Sequence, residues 1–384
     1  MTLSPQPLRV LVVGGGFAAA EALLALRALA GDRVSLTLVT PDRRLMFRPA
    51  ATATPFLDEP VQSYDLATLA QDVGASLRDD AVEAVAPTAR RVRTAQGAHL
   101  DYDALILAVG ARARQALPGA VTFRDQHDAG RIAAIVGELR AGEIERLVLA
   151  APPGVTWTLP LYELALYAAA EIAAVGAAAH VTVVSPEREP LQVFGRAAFE
   201  AVAAQLAAHE IRFLGGQLPH SVSRDGLRIA YAGVVPADRV IALPQLTGGR
   251  LSGVPGHDFS GFVQTDARGR VQGLQHVWAA GDMTTCPIKQ GGMAAQQAEA
   301  AAADIAALAG ASAPQRQPIV LRAKLLGGAR PLYLRSELDS DGRPVASSSS
   351  VGDEPPWWPD AKVFGRHVTP WMAAQGLQDA YARV

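Results

Sequence analysis

The stretch that most limits the folds open to this chain is Arg9–Asp42, where a strand runs into three glycines, a helix and a second strand. Arg9-Val10-Leu11-Val12-Val13 reads as a buried parallel strand, because its apolar run is unbroken rather than alternating. Gly14-Gly15-Gly16 follows at once, and Phe17-Ala18-Ala19-Ala20-Glu21 opens an Ala/Leu-rich helix expected to run to about Ala30. Gly31-Asp32 closes it, and Val34 to Val39 is the next strand. Gly14, Gly16 and Ala19 stand at the G-x-G-x-x-G/A positions of a dinucleotide turn. There the first glycine allows the tight bend, the second lets the backbone approach a pyrophosphate, and the third packs helix on sheet. The helix N-terminus adds free N–H groups and a partial positive charge. The motif alone is weak, but in its strand–turn–helix–strand setting it predicts dinucleotide binding.

With 384 residues the chain is long enough for two or three domains, and its 49% hydrophobic content suits a well-packed α/β protein. Lys+Arg of 35 against Asp+Glu of 37 offers no electrostatic reason for nucleic acid as a partner, and there is no dense basic run. The lone cysteine, Cys286, excludes an internal disulfide and any two-cysteine relay within one chain. It is compatible with a reducing compartment. Met1 to Leu8 lacks a signal-like apolar core, and the longest apolar stretch, Leu159 to Val184, is broken by Glu163, Glu171 and His180. A cytoplasmic protein is therefore expected. No residue is assigned to a metal.

In dinucleotide folds the ribose usually meets an acid at the end of the second strand. Here that position is Thr40, and the nearest acid is Asp42, either a substitute ribose acceptor or an ordinary turn aspartate. Ala50 to Ala75 reads as mixed loop and helix. Ala81–Val85 and Arg91–Thr94 alternate as strands, and Ala104 to Gly110 is another buried strand ending in glycine. From about Arg131 the pattern repeats: Arg146–Ala150 as strand, Ala151–Thr158 as loop, Leu159–Val175 as helix, His180–Val184 as strand. Ser185-Pro186-Glu187-Arg188 then parallels Thr40-Pro41-Asp42-Arg43, which indicates a duplicated βαβ unit. The copy differs at its turn, where Pro152 and Pro153 remove backbone N–H groups and Trp157 adds bulk. Gly195–Ile211 is expected as a helix, Leu227–Ala232 as a strand, and Arg239–Pro244 as a strand ending in a break, the crossover back to the first domain. Gly269–Val271 and His276–Asp282 are expected to complete the first sheet.

With Gly281-Asp282 reached, the chain resembles the two-dinucleotide-domain flavoproteins. That superfamily includes pyridine nucleotide-disulfide reductases, type II NADH dehydrogenases and sulfide:quinone oxidoreductases. The resemblance rests on Gly14-Gly15-Gly16-Phe17-Ala18-Ala19, on Leu105 to Gly110, on Val277-Trp278-Ala279-Ala280-Gly281-Asp282 and on Phe47-Arg48-Pro49, which looks like a flavin-side loop. It implies an α/β fold with two Rossmann-like domains, the second inserted in the first, plus a small C-terminal region. The implied boundaries are 1–115 with 255–315 for FAD, 116–254 for an NAD(P)-like domain, and 316–384 for the end. The resemblance places the FAD pyrophosphate on Gly14, Gly16 and Ala19 beside Phe17, and the ribityl chain on Asp282 after Gly281. Backbone near Val82 would meet adenine, Ala108 to Gly110 would line the nucleotide, and Arg48 would lie on the flavin side. Lys289 or Gln290, ahead of a helix Met293–Leu308, would reach the flavin, where positive charge favours the reduced ring.

Departures from the family bear on the reaction. A single Cys286 cannot form the paired cysteines of sulfide:quinone oxidoreductases or disulfide reductases, although one thiolate could still form an adduct or a persulfide. Trp157 occupies the region where sulfide oxidoreductases carry a cysteine, and either walls the flavin or belongs to the core. The altered second turn leaves use of NAD(P)H open and favours a domain kept for architecture. In the tail, Leu321–Leu326 and Pro331–Leu334 read as strands, Asp339–Gly342 as a hairpin turn and Ser347–Ser350 as flexible. Lys362–Ala374, with Phe364, Val368 and Trp371 at helical spacing and Lys362, Arg366 and His367 as its positive charges, reads as a core lid or homodimer contact. The alternative is a peripheral contact at the inner face of the membrane. The reading reached is an FAD-dependent oxidoreductase passing electrons from a small donor to a quinone or another acceptor, with Lys289, Cys286 and Trp157 as candidate catalytic residues. Its alternatives are a type II NADH dehydrogenase-like enzyme and a non-catalytic flavin-binding or redox-sensing module.

Overall fold

The computed structural model describes residues 6–57, 59–312, 315, 317–339 and 342–376. In chain order, β1 (Leu8–Val13), helix α1 (Phe17–Ala30), β2 (Val34–Thr40), β3 (Ser76–Asp79) and β4 (Ala104–Leu107) come first. A second unit follows as β5 (Val121–Thr122), β6 (Arg146–Ala150), α2 (Leu159–Val175), β7 (His180–Val184), β8 (Arg212–Leu214) and β9 (Arg239–Ala242). The chain then supplies β10 (Val277–Ala279), α3 (Gly291–Leu308), β11 (Ile319–Leu325), β12 (Leu332–Leu338), β13 (Ser350–Gly352) and α4 (Val368–Ala374).

The first sheet has the order β10-β4-β1-β2-β3 and is parallel throughout. The second, β5-β9-β6-β7-β8, is also parallel and repeats the same topology. Because β10 returns to the first sheet after the whole second unit, the second domain is inserted in the first. Both faces of β1 are covered, which explains its unbroken apolar run. Val10 and Val12 face the alanine-rich helices α1 and α3, while Leu11 and Val13 join a cluster with Val85, Val92 and Tyr102 on the opposite side. Small residues such as Ala18, Ala22, Ala298 and Ala302 let the two helices lie close, since interaxial distance follows side-chain size.

Four expectations change. Arg239–Ala242 is a strand, as expected, but it is β9, paired with β6 inside the second sheet, and the crossing is made by Ala111–Arg114 against Gln245–Gly248. An apolar run reads alike in either parallel sheet, so periodicity could not assign it. Gly269–Val271 touches its neighbours only through isolated bridges, leaving Val277–Ala279 to complete the first sheet. Ser347–Ser350 is ordered as part of a short turn and β13. The terminal helix is confined to Val368–Ala374, with Lys362 and Phe364 ahead of it. The hairpin turn expected at Asp339–Gly342 includes Ser340 and Asp341, which lie outside the described residues. Among the described residues, no helix is long and apolar enough to cross a membrane.

The C-terminal segment is fastened to the first domain by Glu21, a fully buried residue of α1. Its carboxyl oxygens accept the backbone N–H groups of His367 at 2.9 Å and Val368 at 2.7 Å. Trp371 adds a bond from its indole N–H to Asp72 at 2.8 Å and an edge contact to Tyr64. Burial, together with the nearby Glu299, raises the Glu21 pKa from 4.5 to about 8. Between those two values the folded state holds a proton that the unfolded state has lost, so stability falls as pH rises through the window. Glu21→Gln, which mimics the protonated form, is expected to flatten this part of the slope. Urea unfolding of both proteins at the two ends of the window measures it, and equal slopes would refute the assignment.

Candidate active site

The glycine turn opens onto a single cavity of about 760 Å³ that reaches from β1 and β2 to the loops after β10 and β6. Gly14 has φ +126°, and a Cβ there would lie 2.7 Å from the carbonyl carbon of Ala108, so only glycine fits between β1 and β4. Gly16 is different, because a Cβ would meet nothing within 4 Å. That open space lies directly before α1, whose N-terminus carries no side-chain cap. An uncapped helix start facing a cavity is an anion site by its free N–H groups and dipole. Ala19 is fully buried behind the turn, where it packs helix on sheet. Phe17 meets Phe47 edge-on, at 5.9 Å between centroids, and so joins the turn to the Phe47-Arg48-Pro49 loop. The backbone N–H of Asp42 is held by the Thr40 hydroxyl at 3.1 Å, while the Asp42 residue is exposed at the rim.

The far end of the cavity is set by β10. Gly281 has φ +81°, and its N–H donates to Gln297 Oε1 at 3.0 Å, which turns the chain so that Asp282 faces the cavity. The half-buried Asp282 carboxylate has no hydrogen-bond partner among the described residues. Burial pushes its pKa up against the pull of Lys289 and Arg48. An unpartnered carboxylate of this kind calls for donors from a ligand, and sugar hydroxyls supply them. The Lys289 ammonium donates to the Asp282 carbonyl at 3.1 Å and to the Thr284 carbonyl, and lies 3.7 Å from the centre of the Phe262 ring. It is thus a fixed charge rather than a swinging one, with a pKa lowered by burial. Gln290 caps α3, which starts two residues earlier than expected, by accepting the Gly292 N–H at 2.5 Å.

Cys286 lines the same space, and burial pushes its thiol up from the ordinary value, so the neutral thiol dominates near pH 7. Trp157 lines that space too, half-buried and tilted against Phe194 at 6.1 Å between centroids. The neighbouring Thr156 hydroxyl donates to the Pro287 carbonyl and ties the two loops together. Arg48, Val82, Ala108 and Gly110 also border the cavity. The structure therefore sets the candidate cofactor-binding and catalytic residues around one cavity, except Ala19 beneath it.

Sequence reasoning missed the polar end of this cavity. Glu163 on α2 is fully buried, and its carboxylate accepts from Lys362 at 2.5 Å, Thr52 at 2.8 Å and the Leu326 N–H at 3.1 Å. Burial raises the Glu163 pKa and lowers that of Lys362, each opposed by the other's charge. The sequence places Lys362 only as one of the positive charges of a core lid or homodimer contact. The available signal was Glu163 itself, an acid in the apolar first half of its helix, which must find a partner.

The family model described as pyridine nucleotide-disulphide oxidoreductase matches residues 8–302. The chain belongs to that family. It is an FAD-dependent oxidoreductase, and the glycine turn, the open helix start and the unpartnered Asp282 fit that cofactor. Among curated proteins, no sequence matches at a significant level. Among solved structures, the sulfide:quinone oxidoreductase of the hyperthermophilic bacterium Aquifex aeolicus has a TM-score of 0.79 at 20% identity, over 90% of this chain and 86% of that one. A ferredoxin reductase of the CYP199A2 system from Rhodopseudomonas palustris gives 0.65 at 17% identity, over 86% and 82%. An NAD-dependent persulfide reductase from A. fulgidus gives 0.62 at 17% identity, over 88% and 65%. At these identities the likeness to the solved structures is one of fold.

Proposed function

We propose that this oxidoreductase passes electrons from a small donor through FAD to a quinone or another acceptor, without paired-cysteine chemistry. Bound FAD supplies the redox chemistry, and the chain supplies binding, orientation and electrostatics. Gly14, Gly16 and the start of α1 would take the pyrophosphate, and Asp282 the ribityl hydroxyls. Val82, Ala108 and Gly110 would flank the nucleotide. Lys289, with the Gln290-capped start of α3, would set positive potential near the ring and favour its reduced state. Trp157 would wall the reacting side.

The observation that carries this reading is the continuity of one cavity from the glycine turn to Trp157 and the Glu163–Lys362 pair, with one cysteine along its whole lining. Residues 1–115 with 255–315 then serve as the flavin unit, 116–254 as the inserted unit and 316–384 as the closing segment that brings Lys362 to the cavity. Anaerobic mixing of the FAD-loaded protein with sulfide and a panel of other small reductants tests it, followed by a short-chain ubiquinone analogue. One donor is expected to bleach the flavin absorbance and the quinone to restore it. Bleaching by dithionite alone would instead identify a flavin-binding module without turnover.

A further inference from the structure

The family's name implies a nicotinamide dinucleotide at the second βαβ unit, and the residues there do not fit one. In the first unit the space ahead of α1 is open, with nothing within 4 Å of a Cβ at Gly16. In the second unit the residue ahead of the helix is Thr158, and its hydroxyl is hydrogen-bonded to an acid of the chain itself. Glu187 follows β7 as Asp42 follows β2, but where Asp42 is exposed, Glu187 is drawn inward. Its Oε2 accepts from Thr158 Oγ at 2.7 Å, from the Tyr162 hydroxyl at 2.7 Å and from Ser185 Oγ at 3.2 Å.

Thr158 is the residue immediately before α2, and Tyr162 belongs to its first turns and is fully buried. The carboxylate therefore spans from the end of β7 to the start of α2. That is the line a dinucleotide follows when its ribose meets the second strand and its pyrophosphate the helix start. We propose that Glu187 is an internal occupant that closes the second dinucleotide fold to NAD(P)H. Glu187 commits its Oε2 to the chain's own hydroxyls rather than to a ribose, and those three hydroxyls are then not free for a phosphate at the helix start.

The loop above it agrees. Pro152 and Pro153 offer no N–H groups to a phosphate, and Trp157 packs against Phe194 beside the helix start. Thr156 is engaged with the Pro287 carbonyl, so the loop is fastened toward the flavin side. The second unit consequently keeps its Rossmann topology for the cavity wall it builds, and electrons enter from a donor other than a nicotinamide nucleotide.

The test uses the FAD-loaded wild type and Glu187→Ala, with NADH and NADPH as probes. Binding is read from nicotinamide fluorescence, and reduction from flavin absorbance without oxygen. The wild type is expected to show neither saturable binding nor bleaching up to about 1 mM nucleotide, a range in which ordinary nucleotide sites saturate. Glu187→Ala, its folding checked by bound FAD, is expected to bring saturable binding below that concentration. Saturation or bleaching in the wild type overturns the proposal, and so does a Glu187→Ala protein that binds no better. Neither result touches the flavin reading, which stands or falls on FAD content and on reduction by other donors.

Discussion

Gly14→Ala is expected to yield a protein that no longer retains FAD. The added Cβ would need a backbone at φ +126° that L-residues avoid, a strain of about 1–3 kcal/mol, and would press on the Ala108 carbonyl group. Gly14 N–H also bonds the Val39 carbonyl at 2.9 Å, so any shift of the turn disturbs both β2 and β4. A loss of about 3 kcal/mol corresponds to roughly a 150-fold weaker affinity. Flavin absorbance per protein after gel filtration, with an FAD titration of the stripped protein, measures it. Gly16→Ala is the informative partner, since its Cβ would meet no protein atom within 4 Å. That variant should melt like the wild-type apoprotein yet bind FAD weakly. Full affinity in Gly16→Ala would mean that no cofactor backbone approaches the turn.

Lys362→Met should lower stability by about 3–5 kcal/mol, the usual cost of leaving one member of a buried ion pair alone. Both side chains are nearly inaccessible, at 5% for Lys362 and 0% for Glu163. With the ammonium gone, Glu163 keeps Thr52 and the Leu326 N–H as donors but loses its counter-charge. Its pKa, already raised by burial, must climb further. The folded state then holds a proton that the unfolded state releases above about 4.5, so the defect should grow as pH rises. Thermal melts at pH 5 and pH 8 compare the two conditions. Glu163→Gln combined with Lys362→Met should recover most of the loss, because no isolated charge remains. A single variant as stable as the wild type at both pH values would show that water reaches Glu163.

The glycine turn was legible because its requirements are local: a strand, a left-handed residue and a helix start within a few positions of one another. Asp282 was legible for a related reason, as an acid right after a glycine at a strand end, where α/β sheets meet their ligands. Strand order was legible only in part. The Gly281-Asp282 that follows β10 places it in the first sheet, whereas β9 is a short apolar run whose period does not say which sheet it joins. The Glu163–Lys362 pair lay beyond reach because its members are 199 residues apart and each has a plausible local reading. Glu187 was visible only as part of a repeated tetrapeptide, and the inward turn of its side chain depends on Tyr162 and Thr158 from the neighbouring helix.

The return of β10 to the first sheet has a consequence for how the molecule is born. As the polypeptide leaves the ribosome, β4 emerges with its neighbour β1 on one side and a bare backbone edge on the other, until Val277–Ala279 arrives. All four β4 side chains are apolar and destined for burial, so the waiting edge invites pairing with other nascent chains. The inserted unit can condense on its own during that wait, whereas the flavin half is held back by its long sequence separation. Chains cut short before residue 277 should therefore aggregate rather than fold, even though they carry the whole glycine turn.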